Sequence, residues 1–441
     1  MRLRISVLTV GGVVTCLGLT ACAGGAAPAS DSGGATNAVS FESWSPIQQT
    51  TDQMVAAVQA ANKGVTVKAT IYNAPDYLVD LQTRAASNTM PDVVGLQSGA
   101  YTQQFRAKLM PLQDCAAKTW GADWKTKFFP IGLTEAQLGN PKGDTNFYSL
   151  PLMNETVNLW ANTDILKANN ATIPQTWDEL VAFSKNQKGK DFAPFLMPAL
   201  QGWNRSIVFL QIVNNVNPGL VYKAEGGTDK WTNPDIVKAF DYWQKLFTQK
   251  VFQDGAMGLT AYPDAGNQIE AGKAAIFPFG SWWIQQSDPT RSGTPPVSQG
   301  MAGWKPFLFP TIPGGASQPQ LVGGMDVGLG MAKNTKNPEL ACKVLTDFIA
   351  GAGAQKMINT FNDVPAVVGL TPQKFTGDNQ KAIWNTFMTD WLPNVKYSRY
   401  LADPKVDQAV NDALAALASG QTTPQDAAAS VQKVQDQVSA G

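Results

Sequence analysis

Four tryptophans lie at the ends of predicted helices or strands, beside small or polar residues, where an aromatic face could contact a solute. They are Trp44, Trp203, Trp282 and Trp283. Aromatic side chains offer a flat apolar surface that can stack on the C–H face of a sugar ring. Trp282 and Trp283 are adjacent, so they should point in different directions, and we expect at least one of them to pack inside. Three other tryptophans, on apolar faces, are predicted to be structural: Trp160, Trp177 and Trp243.

A second set of candidates could hydrogen-bond the hydroxyl groups of the same kind of solute. Carboxylate, amide, hydroxyl and guanidinium groups suit that task because each makes several hydrogen bonds. The set is Glu42, Gln97, Ser98, Asn154, Glu155, Asn204, Arg205, Asp326 and Arg399. A solvated turn or a surface ion pair explains any single member equally well. Together with the tryptophans, the mixture of amides and charges favours a neutral polyol over a cation.

The composition excludes several kinds of chemistry. The chain has 441 residues and no histidine, so Ser-His-Asp and Cys-His nucleophile systems and histidine-ligated metal sites are impossible. We therefore predict no metal site and no cofactor. Lysine plus arginine and aspartate plus glutamate number 34 each. This zero net charge argues against nucleic acid as a partner, because phosphate binding requires a basic surface.

A secreted glycoside hydrolase is the main alternative from another functional class, since it would share an aromatic cleft. Such an enzyme needs two carboxylates about 5 to 10 Å apart. No pattern in the sequence selects such a pair, so we predict a binding protein rather than an enzyme.

The amino terminus has the features of an export signal. Arg2 and Arg4 precede an apolar stretch, and Leu19-Thr20-Ala21-Cys22 resembles a bacterial lipobox. We predict a lipoprotein signal peptide over residues 1–21, lipid modification of Cys22 and a flexible Ala/Gly/Ser-rich tether over residues 22–37. An ordinary cleaved signal is the alternative. The predicted location is the extracellular face of the cell membrane, with attachment through the lipid.

Two cysteines remain outside the signal, Cys115 and Cys342. Export to an oxidising compartment permits a disulfide. The sequence leaves open whether the two cysteines form a bridge or stay as two separate buried thiols.

Alternating strand and helix patterns open the folded part. Residues 39–44 alternate like a half-buried strand, and Ser45-Pro46 with Gln48 has the pattern of a helix start. Similar patterns follow through the strand that begins at Pro91-Asp92-Val93-Val94, which predicts βαβ units and a parallel sheet. Ligands of such sheets lie outside the carboxyl ends of the strands. The residues placed there are Glu42, Trp44, Gln97 and Ser98.

A second patterned stretch runs over residues 150–180. Residues 156–162 are predicted to be a buried strand, with Asn154 and Glu155 in a polar loop just before it. Thr176 and Glu179 form a Thr-x-x-Glu capping box for the helix through Leu180 and Phe183.

Parts of this chain resemble the extracellular solute-binding proteins of bacterial ABC sugar importers, the family that includes the maltose-binding protein. The residues that carry the resemblance are Leu150-Pro151, Asn162, Pro174, Thr176-Trp177-Asp178-Glu179-Leu180, Met90-Pro91-Asp92-Val93-Val94, Leu109-Met110-Pro111-Leu112, Ala271-Gly272-Lys273-Ala274-Ala275-Ile276, Gly280-Ser281-Trp282-Trp283 and Gly323-Gly324-Met325-Asp326. The last run is similar to a binding loop of the family, which adds Gly324 and Met325 to the candidate site.

The resemblance implies an α/β fold of two lobes, each a sheet flanked by helices, joined by a hinge with crossings near residues 117, 322 and 393. Lobe 1 would comprise 38–117 plus 323–393, and lobe 2 would comprise 118–322 plus 394–441. It also implies a monomeric receptor that closes on a mono- or oligosaccharide and delivers it to the membrane subunits of an ABC importer. A receptor of the same fold for a non-sugar solute is the remaining alternative.

Overall fold

The computed structural model describes residues 37–287 and 301–440. The predicted signal peptide, Cys22 and residues 22–36 of the tether lie outside the described residues. In the part of the chain that is described, no helix is both long enough and apolar enough to cross a membrane.

Among the described residues, ten strands form one mixed sheet. They are β1 Ala38–Ser43, β2 Thr66–Ile71, β3 Val93–Leu96, β4 Leu150–Asn162, β5 Ala193–Phe195, β6 Ala274–Gly280, β7 Trp304–Phe307, β8 Val322–Met331, β9 Val364–Pro365 and β10 Tyr397–Ser398. The main order is β2-β1-β3-β8-β4-β6-β5, with β10 beside β8 and with β7 and β9 beside β4.

The predicted parallel arrangement is confirmed for the first three strands but does not extend through the whole sheet. β1 pairs in parallel with β2 and β3, as expected for βαβ units. The β3–β8, β8–β4 and β4–β6 pairs are antiparallel. The sheet is therefore mixed, because β4 and β8 run in opposite directions through its middle and connect its two sides.

Helices cover the sheet. They are α1 Gln48–Ala61, α2 Ala74–Ser87, α3 Ala100–Phe105, α4 Gln113–Trp120, α5 Pro130–Ala136, α6 Thr163–Ala168, α7 Trp177–Asn186, α8 Gly202–Val216, α9 Leu220–Glu225, α10 Pro234–Thr248, α11 Gly266–Glu270, α12 Pro338–Ala350, α13 Ala352–Asn359, α14 Asp378–Asn385, α15 Pro404–Ala418 and α16 Pro424–Ala440. α1 packs on α13, and α10 packs on α8, α15 and α16. Trp160, Trp177 and Trp243 are buried as predicted.

Capping patterns predicted two helix starts, of which one is correct and the other is wrong. Thr176 accepts a hydrogen bond from the Glu179 backbone N–H at the start of α7, while the Glu179 carboxylate accepts from the backbone N–H of Gln175. The predicted helix start at Ser45 is wrong. α1 begins at Gln48 after Ile47, because the Ser43 and Asn362 side chains engage Ser45 in contacts outside the helix.

The predicted polar loop before β4 is also wrong. β4 begins at Leu150, so Asn154 and Glu155 belong to the strand, and both are fully buried. The Gly323-Gly324-Met325-Asp326 run likewise lies inside strand β8 rather than in a loop. Pairing between the two strands places Asn154 opposite Met325 and Glu155 opposite Gly324. Tertiary pairing therefore overrides the local polarity of these segments.

Cys115 and Cys342 form a disulfide, which resolves the question that the sequence left open. The bridge joins α4 to α12, and its two cysteines are 227 residues apart in sequence. A cross-link of this kind restricts the unfolded chain and thereby stabilises the folded state.

We expect the double variant C115S/C342S to lose about 2 to 5 kcal/mol in free energy of unfolding, because its unfolded chain is no longer closed into a large loop. Urea unfolding of the oxidised wild type and the variant measures this difference. Dithiothreitol should shift the wild-type midpoint and leave the variant unchanged. Coinciding midpoints for oxidised wild type and variant would contradict the stabilising role.

Candidate functional site

The candidate site lies where four strands meet. β10 pairs in parallel with β8 through Ser398 and Gly323, and β8 pairs with β4 through Gly324 and Glu155. β6 pairs with β4 on its other side and ends at Gly280, two residues before Trp282. Arg399 follows β10 directly. This strand pairing therefore brings Glu155, Trp282, Asp326 and Arg399 to one place, although they are far apart in sequence.

A buried ion pair occupies the centre of this site. Nη1 of Arg399 lies 2.7 Å from Oε2 of Glu155, and their side chains are 5% and 0% exposed. Burial raises the pKa of Glu155, and the Arg399 guanidinium opposes that rise. The guanidinium also lies over the rings of Trp282, at 5.5 Å, and Tyr400, at 4.5 Å. Aromatic faces stabilise a cation at such distances, so Arg399 is held on several sides.

A carboxyl pair stands beside the ion pair. The Asp326 carboxyl group lies near that of Asp363 and disfavours a second negative charge there. Burial and the neighbouring Asp326 raise the pKa of Asp363. Its Oδ1 also accepts hydrogen bonds from the Ser281 hydroxyl at 2.9 Å and the Val364 backbone N–H at 2.7 Å.

A fourth carboxyl group, that of Glu135 near the end of α5, is 1% exposed. Its Oε2 accepts from the Ser98 hydroxyl at 3.0 Å and from the Met325 backbone N–H at 2.5 Å. Its Oε1 accepts from the Ser398 hydroxyl. Burial raises the pKa of Glu135 to about 7, against the lowering effect of these donors.

Aromatic residues form one wall of the site. The Trp282 and Trp203 ring centroids are 6.1 Å apart. The indole N–H of Trp282 donates to the Tyr262 hydroxyl at 3.1 Å. Tyr262 stacks on Phe279 and is 43% exposed, so the wall extends from the buried Arg399 to the surface.

Other predicted residues have separate structural partners. Trp283 is fully buried against Phe277 and Phe279, as expected for one member of the adjacent pair. Asn204 and Arg205 donate to backbone carbonyls of residues 198–200, just before α8.

Three candidates near the ends of β1 and β3 have partners in helices α2 and α3. Glu42 pairs with Arg84 at 3.0 Å. Trp44 packs on Tyr77, with ring centroids 5.7 Å apart. The Gln97 carbonyl accepts a hydrogen bond from Thr102. Ser45, next to Trp44, accepts from Asn362, the neighbour of Asp363, so this segment borders the carboxyl pair.

Sequence reasoning missed several residues of the site. They are Glu135, Tyr262, Ser281, Asp363, Ser398 and Tyr400. Ser281 lies inside the Gly280-Ser281-Trp282-Trp283 motif, so it was close to a recognised signal. Glu135 follows no motif, because its importance comes from donors contributed by distant segments.

A metal centre is not apparent among residues 37–287 and 301–440, where no three acidic or cysteine side chains are grouped to hold an ion. The arrangement described above instead offers hydrogen-bonding groups and aromatic faces. Those groups can bind an uncharged polar solute without reacting with it.

The mixed sheet with a polar and aromatic site at its central strands defines a solute-binding protein of the two-lobed α/β type. The chain matches the model of the bacterial extracellular solute-binding protein family over residues 43–356, and it belongs to that family. This confirms the resemblance seen in the sequence. Because members of this family are solute-binding proteins, the protein is an extracellular binding protein and not an enzyme, which removes the hydrolase alternative.

Three comparisons illustrate the relationship. The chain is 23% identical over 357 residues to the multiple sugar-binding protein of Streptococcus mutans, covering 76% of each chain. It is 25% identical over 383 residues to maltodextrin-binding protein MdxE of Bacillus subtilis, covering 83% of this chain and 80% of the relative. A solved structure from work on xylan utilization by Caldanaerobius polysaccharolyticus superposes with a TM-score of 0.75 at 20% identity, covering 90% of this chain and 99% of the other. The last match supports the two-lobed fold.

We expect R399M to lower the free energy of unfolding by about 3 to 5 kcal/mol, because it leaves Glu155 buried without its charge partner. Urea unfolding measures the loss. The matched control is K245M, which breaks the half-exposed Lys245–Asp241 pair and should cost less than about 1 kcal/mol. Equal losses for the two variants would show that the buried ion pair contributes no more to the free energy of unfolding than the half-exposed pair.

Proposed function

We propose that the protein is a lipid-anchored extracellular receptor that binds a sugar between two lobes and delivers it to an ABC-type import permease. The observation that carries the sugar assignment is the convergence of Trp282, Arg399 and Glu155 in one site. An aromatic face next to a fixed guanidinium and a carboxylate matches the alternating apolar faces and hydroxyl edges of a sugar ring.

Unused hydrogen-bonding capacity at the site supports this assignment. Within the described residues, the buried polar atoms at this site that have no hydrogen-bond partner include Glu155 Oε1, Arg399 Nε and Tyr400 Oη. Burying such atoms without partners is unfavourable. Hydroxyl groups of a solute, which both donate and accept, would satisfy an acceptor such as Glu155 Oε1 and a donor such as Arg399 Nε. The names of the sugar-binding and maltodextrin-binding relatives point to the same class of solute.

The proposed lobes are residues 38–117 plus 323–393 and residues 118–322 plus 394–441. With these bounds β4 lies in lobe 2 and β8 lies in lobe 1 from Gly323 onward, so the pairing of these two strands would join the lobes. Closure about such connections traps the solute. The proposed ligand contacts are the residues around Arg399, with Trp203, Ser98, Gly324 and Met325 at the margin of the same site.

Attachment to the membrane through Cys22 completes the proposal. Several acyl chains on the mature amino terminus would anchor the protein durably, and residues 22–37 would give the receptor reach. The anchored protein would then act as a monomer that meets the membrane subunits of the importer.

A thermal-shift panel of neutral mono- and oligosaccharides tests the sugar assignment. A sugar at about 100 times its dissociation constant should stabilise the wild type by roughly 2.7 kcal/mol. W282A should need roughly 10- to 100-fold more of that sugar, because it removes a central aromatic contact. W120A, which removes a ring that packs on Phe128, is the control and should bind like the wild type. If no sugar of the panel raises the melting temperature and a non-sugar solute does, the sugar assignment is wrong.

Membrane fractionation of the producing cells tests the anchor. Wild-type protein should sediment with membranes and C22S should appear in the soluble or culture fraction, because a serine cannot carry the thioether-linked lipid. C16S changes the other cysteine of the signal and should still sediment. Soluble wild-type protein would refute lipid anchoring while leaving the binding function intact.

A further inference from the structure

Glu135 links three separate segments of the chain. Its carboxyl group receives hydrogen bonds from Ser98 in the turn after β3, from the backbone of Met325 in β8 and from Ser398 in β10. Glu135 itself belongs to α5, so four segments meet at one carboxyl. The proposed lobe boundaries would place Ser98 and Met325 in lobe 1, and Glu135 and Ser398 in lobe 2.

The backbone of β8 is shaped for this contact. Gly324 has φ of +150°, and a Cβ built on it would lie 1.9 Å from Oε2 of Glu135. A side chain at this position would therefore displace the carboxyl group. The glycine predicted from the sequence as part of a binding loop is required for the approach of Glu135.

Two of the three donors to Glu135 are next in sequence to a charged residue of the solute site. Met325 precedes Asp326, and Ser398 precedes Arg399. The Ser398 hydroxyl also accepts a hydrogen bond from the Tyr400 backbone N–H at 2.9 Å. A change in the hydrogen bonding of Glu135 is thus transmitted directly to Asp326 and Arg399.

We propose that Glu135 is a proton-dependent positioning residue, which sets the placement of Arg399 and Asp326 and binds solute more tightly through its neutral form. The inference rests on the proposed function. The neutral carboxyl can donate from Oε1 to Ser398 while Oε2 keeps its two donors. The ionised carboxylate adds an attraction for the Arg399 guanidinium, which then competes with Glu155 and the solute.

The direction of the pH dependence follows from burial. Burial raises the pKa of Glu135 from 4.5 to about 7, so its contribution to folding stability is present below about pH 4.5 and is lost as the pH rises through 7. A solute that excludes water from the site disfavours the charge further. Affinity should therefore fall as the pH rises through about 7. The charged and titratable groups around Glu135 are Arg399, Glu155, Tyr222 and Tyr400.

The experiment measures the dissociation constant of a sugar identified by the panel between pH 6 and 8.5, for wild type and E135Q. We expect wild-type affinity to weaken roughly threefold to tenfold over this range, since one unit of pKa difference corresponds to a tenfold change. E135Q, which is neutral and of the same shape, should keep the low-pH affinity throughout. S98A removes one donor to the carboxylate and should move the midpoint of the wild-type profile upward.

Glu225 provides a matched control. Burial raises its pKa to about 7 as well, but its carboxylate accepts from the Ala402 and Asp403 backbone N–H groups and contacts none of the three donors to Glu135. E225Q should keep the pH profile of wild-type affinity. The proposal is overturned if the wild-type affinity does not change with pH, or if E135Q shows the same pH dependence as the wild type. It is also overturned if E225Q loses as much of this pH dependence as E135Q. A merely structural role would weaken E135Q equally at every pH.

A second readout needs no solute. Trp282 lies against Arg399, so tryptophan fluorescence should change with a midpoint near pH 7 in the wild type. This change should be absent from E135Q and W282F and retained in E225Q. If no sugar binds at any pH, the proposed function fails and this titration alone decides the role of Glu135. A titration that persists in E135Q would overturn the inference even if sugar binding is established.

Discussion

Burial of the Arg399 guanidinium is the constraint on which the arrangement of the site depends. An unpaired buried charge is strongly unfavourable, so the fold must bring a carboxylate and polarisable faces to it. Glu155 supplies the charge from β4, and the rings of Trp282 and Tyr400 supply the faces. These residues come from three distant segments, and their positions are set by pairing of β4 with β6 and β8, and of β8 with β10.

The strands around this residue explain why the interior carries so much polarity. β4 is buried along nearly its whole length, although it contains Asn154, Glu155, Thr156 and Asn158. A central strand normally has an apolar sequence. In β4 the polar residues are grouped near Arg399 and near the ends of the neighbouring strands. Local departures from apolar patterning at the middle of a sheet are a known property of functional sites.

Much of the fold could be predicted from local patterns. The first three strands, the Thr176 cap and the buried tryptophans on apolar faces depend on residues close in sequence, and all three predictions agree with the structure. The helix start at Ser45 and the loop before β4 were wrong because long-range contacts decide them. Ser45 engages Asn362, and β4 pairs with β8, both far along the chain.

The candidate site was predictable only in part for the same reason. Trp282, Glu155, Asp326 and Arg399 have residue types suited to a polar solute, and the structure brings them together. Asp363 and Glu135 gain their roles from partners more than 30 residues away, so no spacing rule could select them. Asn204 and Arg205 have the right chemistry, but Asn204 Nδ2 and Arg205 Nη1 donate to carbonyl groups just before α8.

The Cys115–Cys342 bridge has a consequence for the integrity of the molecule outside the cell. It turns residues 115–342 into a covalent ring, and this ring contains β4, β6, the Trp282 wall and the Glu135 carboxyl. A protease that cuts once within the ring opens it but releases no fragment. The nicked protein therefore keeps its full mass, and its amino-terminal and carboxyl-terminal portions stay joined, until a reductant separates them.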